Sequence, residues 1–209
     1  MTNRRPRGQK NRREFRLILI GSEGSKNSNT EIEYFKNFAR SKSYRIKWIN
    51  GNETDPVNLV NQAVNSLNKE SDFDTEFGDK CYILLDADTD KKKNKQIEKA
   101  MKIAGSSNIK LIISVPTFEV WLLLHFEKVN MYLTNEQALK KIKKYISNYK
   151  KGENCFDELK DNLQTAISNA KQVNSEHIDE FNKSKFVECN PYTDVYKVIE
   201  DIQKMNEDI

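Results

Sequence analysis

The feature that most constrains this chain is an alternation of hydrophobic periods along its first 130 residues. Three short, continuous apolar runs, Leu17–Ile20, Cys81–Leu85 and Ile109–Val115, have the length and texture of strands covered on both faces. A fourth strand is expected where Tyr44, Ile46 and Trp48 alternate with polar residues. Between them the apolar spacing becomes helical. Ile32, Phe35, Phe38 and Ala39 form one stripe, Val57, Val60, Val64 and Leu67 a second, and Ile97, Ala100, Met101 and Ala104 a third. Asp55-Pro56 supplies an N-cap and a first-turn proline for the second helix. Phe118–Phe126, beyond the break at Pro116, reads as a buried helix. Strand and helix in regular succession predict a parallel sheet with crossover helices. The fold expected is an α/β three-layer sandwich around a mostly parallel four-stranded sheet.

From residue 131 onward the period is helical only. Thr134 and Gln137 form a capping box ahead of Ala138, Ile142, Tyr145, Ile146 and Tyr149. A second helix runs from Phe156 through Val173, and Thr193 is expected to cap a last one carrying Val195, Val198, Ile199, Ile202 and Met205. The domain reading is therefore a basic tail over 1–15, an α/β domain over 16–130 and a helical extension over 131–209. Lys140, Lys141, Lys143, Lys144, Lys150 and Lys151 decorate the extension as a solvated face.

Charge separates the tail from the body. Residues 1–16 sum to +6 while the whole chain carries +4, leaving the rest at −2. An arginine-rich arm suits a polyanion, although a solvated terminus has the same composition. No stretch approaches the length of a membrane span, and the basic start lacks the apolar core of a secretory signal. Three widely spaced cysteines, Cys81, Cys155 and Cys189, form no zinc pattern and fit a reducing cytoplasm. His125, inside WLLLHF, reads as a hydrogen-bonded core residue.

The acids carry the chemical signal. Glu23 follows the first strand, Asp86 and Asp88 the third, and Glu119 the fourth. In a parallel sheet those positions share the carboxyl edge, where ligands bind. If extended geometry persists past the strand, Asp86 and Asp88 point to one side, and a divalent cation would offset their repulsion. Oxygen donors of this kind favour magnesium. The competing reading is that acids end strands merely because the chain reaches water. Other motifs fail. An EF-hand beginning at Asp86 would place glycine and glutamate where Lys91 and Ile97 stand. A haloacid-dehalogenase phosphatase would carry its motif on the first strand, with Thr or Val where Asp90 stands. Neither a P-loop nor a dinucleotide fingerprint is present.

The runs LILIGSEG, TEIEYFKNF, YILLDADTD, SVPTFEVWLLLHFE and NPYTDVYKVIEDI resemble the RloB-like family of bacterial defence proteins. That family includes the smaller component of the two-gene AbiL abortive-infection system. The resemblance covers about Arg16 to Ile202 and implies a Toprim-like domain. It further implies a magnesium-dependent nuclease, with manganese as a substitute, acting on DNA or RNA beside an AAA- or ABC-type ATPase. Glu23 matches the acid that handles protons. Asp86 and Asp88 match the metal-binding pair, and Glu119 an added ligand or a group supporting the ligands. Arg4, Arg5, Arg12 and Arg13, with Lys92 and Lys93, would follow the phosphate backbone. The alternatives are a non-catalytic nucleic-acid-binding or regulatory subunit of the ATPase, and a small-molecule phosphatase.

Overall fold

The computed structural model describes residues 14–24, 29–49 and 53–207. Arg4, Arg5, Arg12 and Arg13 lie outside the described residues. Strands β1 (Arg16–Ser22), β2 (Tyr44–Trp48), β3 (Lys80–Asp86) and β4 (Lys110–Val115) are parallel, and β5 (Tyr192–Thr193) closes the sheet antiparallel to β4. The order is β2-β1-β3-β4-β5. The sheet thus has five strands where four were expected. The helical extension supplies the fifth, with Tyr192 opposite Val115 and Thr193 opposite Ser114. The two hydroxyls of Ser114 and Thr193 meet at 2.9 Å in the buried seam. Two residues are too few to show a period, which is why Thr193 reads as a helix cap in the sequence.

Helices α1 (Thr30–Lys36), α2 (Pro56–Leu67) and α3 (Lys91–Ser106) follow β1, β2 and β3. Asp55 caps α2, its carboxylate accepting from the Val57 and Asn58 amides at 3.0 Å, with Pro56 at the first helical position. After β4 come α4 (Glu119–Leu123), α5 (Asn135–Ile142), α6 (Leu163–Ser175), α7 (Ile178–Asn182) and α8 (Val195–Glu207). The Thr134–Gln137 capping box opens α5. Several helices are shorter than their patterns predict. α4 stops at Leu123, α5 at Ile142, and the segment from Phe156 makes two 3-10 turns before α6 begins.

Alternation within each strand separates the two faces. Ile18, Ile20, Tyr82, Leu84 and Ile112 join one core with Trp121, the α5 residues Ala138 and Ile142, and the α8 residues Val198, Ile199 and Ile202. Leu17, Leu19, Cys81, Ile83 and Leu85 join the other with Leu59, Val60 and Ala63 of α2 and Ala100 and Ala104 of α3. The extension after residue 131 therefore packs into the same core as the sheet. His125 is buried as expected, its Nδ1 3.0 Å from the Trp121 carbonyl, and burial lowers its pKa to about 4. Asp79, also buried, accepts from the Leu17 and Asp74 amides and ties the polar loop before β3 to the start of β1. Among the described residues no helix is long and apolar enough to cross a membrane.

Candidate functional site

The chain passes from β1 to β2 on one side and then crosses to β3 on the other, so β1 and β3 flank a topological switch point. A crevice opens outside the carboxyl ends of strands at such a point. Here it is a pocket of about 230 Å³ whose lining includes Glu23, Glu31, Asp86, Glu119 and Lys151.

Each acid arrives by a local device. Glu23 leaves β1 one residue past its end, and Gly24 takes a positive φ of 88° that L side chains rarely adopt. The Asn29 side chain donates to the Glu23 carbonyl at 2.6 Å and accepts from the Ile32 amide at 3.0 Å. Asn29 thereby caps α1 and brings its first turn, with Glu31, to the pocket. Asp86 is the last residue of β3. Glu119 opens α4 and is only 1% exposed, with Oε1 accepting from the Tyr149 hydroxyl at 2.9 Å and Lys151 Nζ at 3.3 Å. Thr117 Oγ1 sits 2.9 Å from Asp86 Oδ2 and 2.5 Å from Glu119 Oε2. A hydroxyl has one proton, so it donates to one carboxyl and can accept from the other only if that carboxyl is protonated.

Asp88 departs from the expectation that it would share a side with Asp86. The ladder continues through the Ala87 amide to the Ser114 carbonyl, but Asp88 then adopts φ 54° and its amide turns to the Pro116 carbonyl. Left-handed backbone breaks the period-2 rule on which the pairing depended. The Asp88 carboxylate faces Lys93 Nζ at 2.8 Å and Asn135 Nδ2 at 2.7 Å. Lys93 also reaches Glu23 at 3.1 Å, and its side chain is 12% exposed. Its ammonium is thus held by carboxylates rather than presented to a phosphate backbone. Lys92 remains exposed on the first turn of α3. Lys151, read in the sequence as part of a solvated face, belongs to the pocket. Glu31 is the residue that sequence reasoning missed. Its signal, an acid in the first turn of TEIEYF just beyond the Glu23 loop, was available but silent.

Electrostatics follow from this crowding. Burial pushes Asp86 well above the usual carboxylate range, with the charges of Glu31, Glu119 and Glu23 adding to the shift. Burial likewise raises Glu31 to about 7, assisted by Glu119 and Glu23 and opposed by Lys151. Glu23 is raised by burial although Lys93 pulls it back. Burial alone would lower Lys93 and Lys151, but their carboxylate neighbours raise both. Five carboxyls thus meet two ammonium groups. Their oxygens are the hard donors that magnesium or manganese takes. Glu23 Oε1 is buried with no hydrogen bond: Lys93 donates to Oε2 at 3.2 Å and lies 3.1 Å from Oε1 as an ion pair. The donor chemistry therefore fits a divalent cation. Among the described residues, however, no three such side chains already converge as a metal shell, so binding requires side-chain movement.

Neither the curated proteins nor the solved structures include a similar chain at a meaningful level. The family model described as RloB-like protein matches residues 18–202, which hold all five strands except the start of β1 and all the acids of the pocket. On that match the chain belongs to the RloB-like protein family.

Proposed function

We propose that the pocket at the β1–β3 switch hydrolyses phosphodiester bonds in nucleic acid, in a Toprim-type, divalent-cation-dependent reaction. The reading includes service beside an ATPase in bacterial anti-phage defence, in the cytoplasm. The observation that carries the chemistry is the convergence of Glu23, Glu31, Asp86 and Glu119 on one crevice with too few cations to balance them. Asp86 and Glu119 would hold magnesium or manganese, and Asp88 would join only by releasing Lys93. The chemistry such an ion would supply is polarisation of a scissile phosphate and neutralisation of its developing charge. Glu23 Oε1, lacking a hydrogen bond, is the atom that accepts a proton from the attacking water. Its raised pKa brings it nearer the neutral range, where a general base is effective. Thr117 fixes Asp86 and Glu119 relative to each other, and Lys151 offers its charge to a phosphate at the mouth.

The test incubates the purified chain with single- and double-stranded DNA and RNA, with magnesium or manganese, with and without the ATPase. Glu23→Gln and Asp86→Asn should each abolish cation-dependent cleavage while circular dichroism and melting stay native. Undiminished cleavage by both variants removes the assignment. A second reading, a binding or regulatory subunit without its own chemistry, draws on the Lys93 bridge, which already satisfies part of the acidic charge without a metal. Nucleic-acid binding with no cleavage under any of these conditions would favour it.

A further inference from the structure

The edge of the sheet opposite the acidic pocket carries the opposite charge. Arg40, Lys42 and Arg45, with Ala39 and Ser41, line an open pocket of about 390 Å³ in the connection from α1 into β2. All three cations are exposed, and none forms an ion pair among the described residues. The neighbouring Lys36 and Lys47, by contrast, are neutralised by Glu33 and Glu70. No acid lines the pocket. The Arg45 guanidinium is held in place by donating to the Ser41 and Tyr44 carbonyls and by lying 4.7 Å above the Phe15 ring. Three like charges gathered without a counter-charge repel one another, and their summed field favours a polyanion.

Register fixes where this patch lies. Tyr44 pairs with Arg16 at the start of β1, so the patch sits at the amino-terminal edge of the parallel strands. The arginine-rich residues before β1 join the chain at that same edge. β1 is seven residues long, so at ~3.3 Å per residue the patch and Glu23 are separated by about 20 Å. We propose that Arg40, Lys42 and Arg45 form a phosphate grip for a nucleic-acid backbone, holding the polymer about one strand length from the acidic pocket. The grip rests on the proposed function only for the statement that its polymer is the one cleaved. An anionic membrane is the lesser match. Insertion there needs apolar side chains beside the cations, and the large exposed hydrophobics, Met101, Met131, Tyr132, Tyr145 and Ile178, belong to other segments. At 3.4 Å per nucleotide along a strand, about six nucleotides bridge the two sites.

Fluorescence anisotropy with labelled 30-nucleotide single-stranded RNA and 30-base-pair DNA, from 50 to 200 mM salt, tests the grip in the full chain. Each lost phosphate contact removes ~0.7 (single strand) to ~0.9 (duplex) from the slope of log affinity against log salt, so Arg40→Gln/Lys42→Gln/Arg45→Gln should flatten it by about 2 and about 3 respectively. Arg40→Gln/Lys42→Gln, which keeps the Arg45 anchor, should show two thirds of that change and a native melting temperature. An unchanged slope in both variants overturns the grip, as does absence of nucleic-acid binding by the unaltered chain. It is also overturned if the substitutions weaken only co-sedimentation with phosphatidylglycerol vesicles. Variant-sensitive binding without cleavage supports the grip and tells against hydrolysis.

Discussion

Replacing Glu31 by Gln should flatten the pH response of the molecule's stability. Glu31 titrates at about 7 in the folded chain against an ordinary 4.5. A carboxyl raised on folding holds its proton more tightly in the native state than in the unfolded one. Stability is therefore fullest below the unfolded pKa and declines as pH climbs from about 4.5 to about 7. The difference between about 7 and 4.5 is worth about 3 kcal/mol. Asp86 and Glu23 are raised too, so their contributions have the same sign. About 2.5 kcal/mol of the Glu31 contribution falls between pH 5 and pH 8, so at ~2–4 °C per kcal/mol for a chain of this size the unaltered protein should melt about 5–10 °C lower at pH 8 than at pH 5 from Glu31 alone. Glu31→Gln removes the titrating charge. It also relieves Asp86, because Glu31 is the foremost charge pushing that carboxyl upward. The variant should accordingly lose most of the slope and melt higher than the unaltered chain at pH 8. Thermal and urea melts in chelator-treated buffer, followed by circular dichroism from pH 5 to 8, measure this. Parallel pH profiles for the two proteins, or a stability that rises across the range, would refute the crowding argument.

Other perturbations probe different parts of the same reasoning. Lys93→Met strips the ammonium from Glu23 and Asp88. Because the Asp88 side chain is 40% exposed, the loss should fall well below the range for a fully buried pair, at about 1–2 kcal/mol. Manganese should then raise the melting temperature of the variant more than that of the unaltered chain, since the ion no longer competes with the lysine. Equal rises would contradict that competition. Gly21→Ala would place a Cβ 2.8 Å from Ile83 Cδ1 and 3.2 Å from Ile49 Cβ. The overpacking should cost about 1–3 kcal/mol in urea unfolding, and an unshifted midpoint would show that the sheet yields more easily than its packing suggests.

The legibility of the chain varied with the range of the interaction involved. Asp55-Pro56 and the Thr134–Gln137 box are signals contained within one helical turn, and both appear where the residues announce them. The apolar runs at β1, β3 and β4 are equally local, because burial on both faces needs no partner to be named in advance. Helix lengths were less legible. The spacing of Tyr145, Ile146 and Tyr149 continues the apolar pattern, yet the helix ends at Ile142 and turns carry Tyr149 to Glu119 instead. At the site, Glu23, Asp86 and Glu119 could be nominated from their positions after strands. Glu31 was not, since its place in the pocket depends on the Asn29 side chain, which bonds the Glu23 carbonyl and caps α1.

What the sequence determined by itself is the α/β class, the parallel pairing and the edge at which the acids gather. Those follow from hydrophobic period and strand polarity, which any consistent packing must respect. Tertiary structure decided the rest. It added the two-residue strand from the far end of the chain and turned Asp88 away through a left-handed backbone. It also set Lys93 and Lys151 among the carboxyls. Each is a long-range choice, made where burial and charge from segments distant in sequence have to be satisfied together, and no local pattern encodes the position of a partner that far along the chain.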